Sequence, residues 1–437
     1  MQYQEEALKA SWWQKLRWRP TSHAEALVDE RNLIKLADCP LESKDIAFGT
    51  GRHEYLHTIV GGQTNESSPR LVYIPGYGAG SGFLFRAYQG LTAGFRTFAV
   101  DPLGTGLSGR PRFTAKTTAE AESFFIQSLE KWRAAAGIDK MILLGHSMGG
   151  YISAAYALQY PERVQHLIMV CPAGVGRRPE DWTLPEQLQN PWSFRGQLYR
   201  MAVAAWNGGI TPGSMIRAAG PLGRRIVEGY TRNRFKRQGH HLTEEEVAAF
   251  EKYMYHVVAA PGSGEFALNK ILEPFAYPRA PLEDRMHELK VPVTFIYGSH
   301  DWMDPKAAAR VCASLENEAT RVEKSSAPRG GGRGVGTENI NSSQKRKNVL
   351  AAQDRKVLFT PNAGHYPFMD QPGAFLENIV EACEEYLPVD AIERIKVAAQ
   401  RHPFLPAPEA AMDTKEEMEE SMKENPAAAE TRIATDM

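Results

Sequence analysis

The chain of 437 residues carries 51 lysines and arginines against 52 aspartates and glutamates, a net charge of −1, with 43% hydrophobic residues. So even a balance gives no global attraction to nucleic acid; no run approaches the roughly 18 consecutive apolar residues that a membrane span needs, and the N-terminus lacks a basic region followed by an apolar run. Four cysteines, Cys39, Cys171, Cys312 and Cys383, stand too far apart for a zinc site or a disulfide framework and fit a reducing compartment.

Residues 1–43 read as a segment of their own. Trp12, Trp13, Leu16 and Trp18 stand among Lys15, Arg17 and Arg19, a mixture suited to the water–lipid interface of a membrane or lipid droplet. The same tryptophans would also serve as a strap packed on a folded domain. Glu5 and Glu6 count against a transit peptide, while Lys9 and its basic neighbours keep a mitochondrial association open beside a cytoplasmic one.

From 44 to 173 strand and helix patterns alternate, with strands expected at 71–74, 96–100, 141–144 and 164–170. That alternation implies a mainly parallel sheet with helices on both faces. Residues 174–289 are helical and loop-like instead, an insertion expected to cap one face of the sheet and shape a pocket. Within it Arg224, Arg225, Arg232, Arg234, Lys236 and Arg237 form either a solvated face or a holder for a lipid phosphate. The alternation resumes over 290–400, with strands at 291–297 and 356–360. Between them, 323–347 has the glycine, serine and charge content of a disordered loop, and the acidic tail 401–437 is expected to lack structure as well.

One motif dominates. Gly145-His146-Ser147-Met148-Gly149-Gly150 lies between a strand pattern and a helix pattern, and a serine at such an apex with glycines two places to either side is a nucleophile elbow. A Cβ at Gly145 or Gly149 would collide with the neighbouring strand or helix. The competing reading makes Ser147 an ordinary helix N-cap.

A nucleophilic serine needs a base, a carboxylate to orient it and amide donors for the oxyanion. In the α/β-hydrolase arrangement the chain order is serine, acid, histidine, each at a strand end. Asp301 follows the glycine that closes the strand at 291–297 and is the preferred acid. Asp304, just before Pro305, reads as the cap of the next helix. His365, after a glycine where the strand at 356–360 opens into a loop, is the preferred base; His146 and His300 compete, but each neighbours another candidate and is expected to point away. The oxyanion donors would be the N–H groups of Met148 and of Tyr77 in Pro75-Gly76-Tyr77-Gly78. The loop after Asp101 braces the site.

Together with Trp18-Arg19-Pro20-Thr21-Ser22, Glu30-Arg31-Asn32-Leu33-Ile34, Gly264-Glu265-Phe266-Ala267 and His365-Tyr366-Pro367-Phe368-Met369-Asp370, the elbow resembles the α/β-hydrolase-domain lipid enzymes around CGI-58. That group includes a plant lysophosphatidic acid acyltransferase and phospholipase and a yeast cardiolipin deacylase. The resemblance covers about residues 10 to 390 apart from the loop. It implies an α/β-hydrolase fold and action on acyl lipids, with no metal and no organic cofactor. The coactivator of that group has asparagine at the nucleophile position, so Ser147 places this chain with the catalytic branch. Pro75 departs from the histidine common in relatives. The group's H-x4-D pattern, His365 to Asp370 here, is linked to acyl transfer onto lysophosphatidic acid. Read physically, Asp370 fits the N-cap of the next helix better.

These readings converge on a serine hydrolase of glycerophospholipid or lysophospholipid acyl esters, with transfer to lysophosphatidic acid as a second outcome. Two alternatives stand beside it: a non-catalytic lipid-droplet scaffold that recruits a lipase, and a serine peptidase or small-ester hydrolase.

Overall fold

The computed structural model describes residues 21–65, 67–237, 242–326 and 355–402. The tryptophans expected to touch lipid, most of the glycine-rich loop and the acidic tail beyond His402 lie outside the described residues.

Eight strands, β1 (Leu41–Ala47), β2 (Tyr55–Gly62), β3 (Arg70–Ile74), β4 (Arg96–Val100), β5 (Met141–His146), β6 (Val164–Val170), β7 (Val293–Gly298) and β8 (Arg355–Thr360), form one sheet in the order β1-β2-β4-β3-β5-β6-β7-β8. The β1/β2 and β2/β4 pairs are antiparallel and the other five are parallel. Side chains alternate across the sheet. Val72, Ile74 and Leu143 therefore join one buried layer while Leu71, Tyr73 and Ile142 join the other. Both faces are covered, as a parallel sheet requires.

The layer containing Tyr73 packs against helices α1 (His23–Ile34) and α2 (Tyr88–Gly94) and the C-terminal helices described below. The opposite layer packs against α3 (Thr118–Ala135) and α4 (Met148–Gln159). Helix α3 starts where the Thr117 hydroxyl accepts from the Glu120 N–H, satisfying one of the free donors of a helix start. Its fully buried Trp132 donates its indole N–H to Thr58 Oγ1 at 3.0 Å, so a large ring enters the core without an unpaired donor.

Between β6 and β7 the chain leaves the sheet and builds a cap. Its longer helices are α5 (Phe194–Asn207), α6 (Pro212–Ala218), α7 (Leu222–Arg237) and α8 (Glu244–Ala259). Thr243 and Glu246 close a reciprocal capping box at the start of α8. The chain then completes the sheet with α9 (Pro305–Ser326), β8, α10 (Pro372–Cys383) and α11 (Val389–Gln400).

Three boundaries differ from the sequence expectation. Helix α1, inside the expected N-terminal segment 1–43, belongs to the folded body: its Ala26, Leu33 and Ile34 are buried. Helix α9 runs to Ser326, taking in the first residues of the expected loop, because the stretch is rich in helix-forming Glu, Ala, Arg and Lys. At the other end, the carbonyl of His402 lies 2.4 Å from where a Cβ on Gly373 would stand, so the packed chain extends slightly into the expected tail.

Candidate active site

Strand β5 ends at His146 and helix α4 begins at Met148, leaving Ser147 alone to make the turn. Its backbone sits at φ 53°, ψ −121°, a conformation that costs a non-glycine residue about 1–3 kcal/mol. The glycines around it are sterically required. A Cβ on Gly149 would stand 2.2 Å from the Ile74 carbonyl oxygen, and one on Gly145 2.4 Å from the Gly149 oxygen. Ser147 holds the N-cap position of α4, but its side chain makes no capping hydrogen bond, unlike that of an ordinary N-cap serine. Its hydroxyl lies 3.1 Å from His365 Nε2 instead.

His365 sits in the loop after β8. Its Nδ1–H donates to Asp301 Oδ1 at 2.9 Å, and both side chains are almost completely buried. Asp301 is placed by the turn after β7: its own N–H donates to the Gly298 carbonyl, and the Met303 N–H donates to its Oδ1 at 3.3 Å. The structure thus brings together Ser147, His365 and Asp301 from three strand ends. Asp304 instead accepts from the Lys306 N–H at 2.9 Å, at the start of α9. The exposed His300 has its Nδ1 3.1 Å from Ser299 Oγ. Chemically, the arrangement can take a proton from Ser147, hold it on an imidazole whose tautomer is set by a carboxylate, and return it to a leaving group.

Tyr77 and Met148 line a small recess of about 20 Å³ together with Ser147 and His365. Met148 opens helix α4, where first-turn N–H groups lack an intrahelical carbonyl and the helix dipole favours negative charge. A Cβ on Gly76 would stand 2.8 Å from the Ser147 Cβ, so the Tyr77 loop approaches the serine as closely as its missing side chain allows. Tyr77 and Tyr366 also line a second cavity of about 470 Å³ under the cap, walled by apolar residues including Met215, Ile226, Val227, Met254 and Val257.

His146 does not point away from the site. Its Nε2–H donates to the His365 carbonyl at 2.7 Å, and its ring centroid lies 4.9 Å from that of His365. A carbonyl only accepts, so the proton is on Nε2. Burial, and then the neighbouring His365, hold its pKa well below the ordinary value, keeping it neutral beside the base. Sequence spacing carries no trace of this contact, nor of Trp302, whose ring lies 5.3 Å from that of His365.

Asp370 is not an N-cap. Helix α10 starts at Pro372, so the cap position belongs to Gln371. Asp370 is buried and its Oδ2 accepts from the Gly364 N–H at 2.8 Å, one residue before His365. Burial pushes its pKa up to about 7 against the opposing pull of Arg234 and the Gly364 N–H. Its geometry is that of a brace for the histidine loop. For the ester hydrolysis and acyl transfer that the sequence leads one to expect, Asp370→Ala should lower both by the same factor, about tenfold, and Asp370→Asn, which keeps an acceptor, should restore most of both. Rates with and without lysophosphatidic acid check this, and loss of transfer alone would contradict it.

The basic run of the cap divides in two. Arg232 pairs with Glu251 at 2.9 Å, whereas buried Arg234 stacks its guanidinium 4.2 Å above the Tyr366 ring. The Asp101 carboxylate accepts from the N–H groups of Ser81 and Leu107, each at 2.7 Å, and so ties its own loop to the one that follows Gly80. Among the described residues the one grouping with metal-ligand geometry is Cys171, Asp301 and His365, within 4.8 Å. Burial raises the Cys171 thiol pKa well above normal, which opposes the thiolate a metal needs.

Residues 69–328 match the family described as the alpha/beta hydrolase fold. A 1-acylglycerol-3-phosphate O-acyltransferase of Arabidopsis thaliana is 33% identical over 403 residues, covering 88% of this chain and 86% of that protein. A (lyso)-N-acylphosphatidylethanolamine lipase of Homo sapiens is 37% identical over 251 residues, covering 57% of this chain and 70% of its own length. Among solved structures, naproxen esterase (carboxylesterase NP) from Bacillus subtilis superposes with a TM-score of 0.51 at 19% identity, covering 83% of this chain and 98% of that one. At that identity the likeness concerns the fold alone.

Proposed function

We propose that this chain, which belongs to the α/β-hydrolase fold family, is a serine carboxylic ester hydrolase of glycerophospholipids or lysophospholipids that also passes the acyl group to lysophosphatidic acid. The observation that carries the reading is the relay from Ser147 Oγ to His365 Nε2 at 3.1 Å and from His365 Nδ1 to Asp301 at 2.9 Å. The names of the plant and human relatives support an acyl lipid as substrate. So does a cavity of about 470 Å³ beside the relay, within the size range of small-molecule sites and lined as apolar chains require.

In the reaction, Ser147 Oγ gives its proton to His365 Nε2 and bonds to the ester carbonyl carbon. The Tyr77 and Met148 N–H groups hold the oxyanion, and Asp301 stabilises the imidazolium. The carbon–oxygen bond to glycerol breaks, the leaving oxygen takes the proton from His365, and an acyl-serine remains. A second hydroxyl then gives its proton to His365 and bonds to the acyl carbon; the carbon–oxygen bond to Ser147 breaks, and Ser147 Oγ takes that proton back from His365. Water yields a fatty acid; the free hydroxyl of lysophosphatidic acid yields a new ester, and a dry pocket favours the latter.

The test is a panel of phospholipids, lysophospholipids, triacylglycerol and aminoacyl esters, each run with and without lysophosphatidic acid. Fatty-acid release from a phospholipid or lysophospholipid is expected, with phosphatidic acid appearing when the acceptor is added. Turnover of aminoacyl esters alone, or of nothing in the panel, would overturn the reading.

A further inference from the structure

Large apolar side chains left in water are concentrated on the cap. Phe194, Leu198 and Met201 are 82%, 55% and 68% exposed and fall at i, i+4 and i+7 of α5, a single helix face. Trp192, 86% exposed, precedes that helix. On α7, Leu222 and Ile226 repeat the pattern one turn apart, 58% and 51% exposed. Elsewhere in the described residues exposed large apolar side chains are few and scattered, which is ordinary for a protein surface. A concentration of this kind marks a surface that something covers.

Two observations say what covers it. The first is continuity with the lipid cavity: Ile226, and Met215 on α6, 65% exposed, both also line the cavity of about 470 Å³. The cavity therefore reaches the surface between exposed apolar side chains of α6 and α7. The second is charge. Of the seven arginines in residues 194–234, Arg217 and Arg232 pair with Glu265 and Glu251 and Arg234 is buried on the Tyr366 ring, which leaves Arg195, Arg200, Arg224 and Arg225 beside the one acidic residue of that stretch, Glu228, which pairs with Arg224. Helix α5 carries Arg195 and Arg200 with no acidic residue, and α7 opens with exposed Arg224 and Arg225. Apolar side chains interleaved with cations are the composition of a surface that rests on an anionic lipid headgroup layer.

We infer that the exposed apolar face of α5, α6 and α7 docks on an anionic lipid surface, so that an acyl chain passes from the lipid layer between Met215 and Ile226 into the cavity beside Ser147. This rests on the acyl-lipid reading of the site. It gives the membrane contact to the cap, a part of the chain separate from the N-terminal tryptophans.

The experiment is vesicle flotation of the full chain with phosphatidylcholine vesicles, and with vesicles containing about a quarter phosphatidic acid, beside hydrolysis of a soluble short-chain ester. The triple variant Phe194→Ser, Leu198→Ser, Met201→Ser is expected to lose about tenfold in bound fraction on both vesicles while its soluble-ester rate stays within about twofold of wild type, a check that it folds. Arg195→Gln with Arg200→Gln and Arg225→Gln is expected to lose binding to the anionic vesicles alone, and added salt to weaken the wild type in the same way. Ser147→Ala should float like wild type, so failure of the proposed chemistry and failure of this surface are separately visible. Wild-type flotation by the serine triple variant would overturn the inference, as would a wild-type dimer that this variant converts to monomer, since a second copy would then be the occupant. Loss of all binding on deletion of residues 1–20, with the triple variant unaffected, would also overturn it.

Discussion

Ser147→Ala is expected to lower acyl-ester hydrolysis and acyl transfer together, by a factor of about 10³ to 10⁶, with little change in stability. The activity falls that far because Ser147 Oγ is the hydroxyl that His365 Nε2 faces, at 3.1 Å. Cys171, also close to His365, is buried with its thiol pKa well above normal. The fold survives because the serine hydroxyl caps nothing and lies near His365 Nε2 alone among its described partners. Alanine has the same Cβ, so the elbow and its backbone conformation are unchanged in demand. Two measurements check the result: fatty-acid release from the preferred lysophospholipid, and the thermal midpoint. A fluorophosphonate probe should label the wild type and fail to label the variant. Retained hydrolysis in a folded Ser147→Ala protein would move the nucleophile elsewhere. Hydrolysis absent from both proteins, with lipid binding intact, would favour the scaffold alternative.

The parts of this site that sequence could show share one property: each is a short stretch whose chemistry needs particular neighbours. Gly145 and Gly149 are tied to Ser147 because a Cβ at either would strike the backbone, and that demand is visible as a spacing. Asp301 and His365 are tied to it by order, since both occupy loops at strand ends in a sheet whose alternation is legible. Asp370 was misplaced by a single residue of helix start, because Pro372 and not Gln371 opens α10 and the carboxylate was free to reach Gly364. His146 was expected to turn away, yet its ring packs against His365; a contact between residues 219 apart leaves no local trace. The cap showed its helicity in the sequence. Its cavity did not, because the wall is assembled from loops and helices that share no period.

The same limit hid a buried electrostatic cluster near the N-terminus of the described chain. Glu30 on α1 and His57 on β2 are both fully buried. Glu30 Oε2 accepts from His57 Nε2–H at 2.8 Å and from the Ser43 hydroxyl at 2.6 Å, and His57 Nδ1–H donates to Asp45 Oδ1 at 2.7 Å. With a carboxylate on each ring nitrogen, both nitrogens carry protons and the ring is an imidazolium. Burial alone would depress its pKa, but the charges of Glu30 and Asp45 outweigh that and raise it to about 10. The cluster ties the N-terminal helix to the antiparallel edge of the sheet, and the Tyr253 hydroxyl of the cap, 3.5 Å from Glu30 Oε1, extends it to α8.

Glu30→Ala is therefore expected to destabilise the fold by about 3–5 kcal/mol at neutral pH, since it leaves a buried cation with one partner in place of two. The pH dependence has a definite sign. A histidine whose folded pKa is raised binds more protons folded than unfolded, so its stabilisation is complete below the unfolded value of about 6.5 and is lost as pH rises through 10. The wild-type thermal midpoint should accordingly fall between pH 7 and pH 10. Glu30→Gln, which keeps the shape of the side chain and removes its charge, should flatten that fall while lowering stability at neutral pH. For Asp101 it is burial that raises the pKa, to about 6, but the stability it contributes is lost between its unfolded value of about 4 and pH 6, so the two titrations separate in one series of melts. A wild-type midpoint that is level from pH 7 to 10, or a Glu30→Gln protein with an undiminished slope, would show that His57 is not held as an imidazolium.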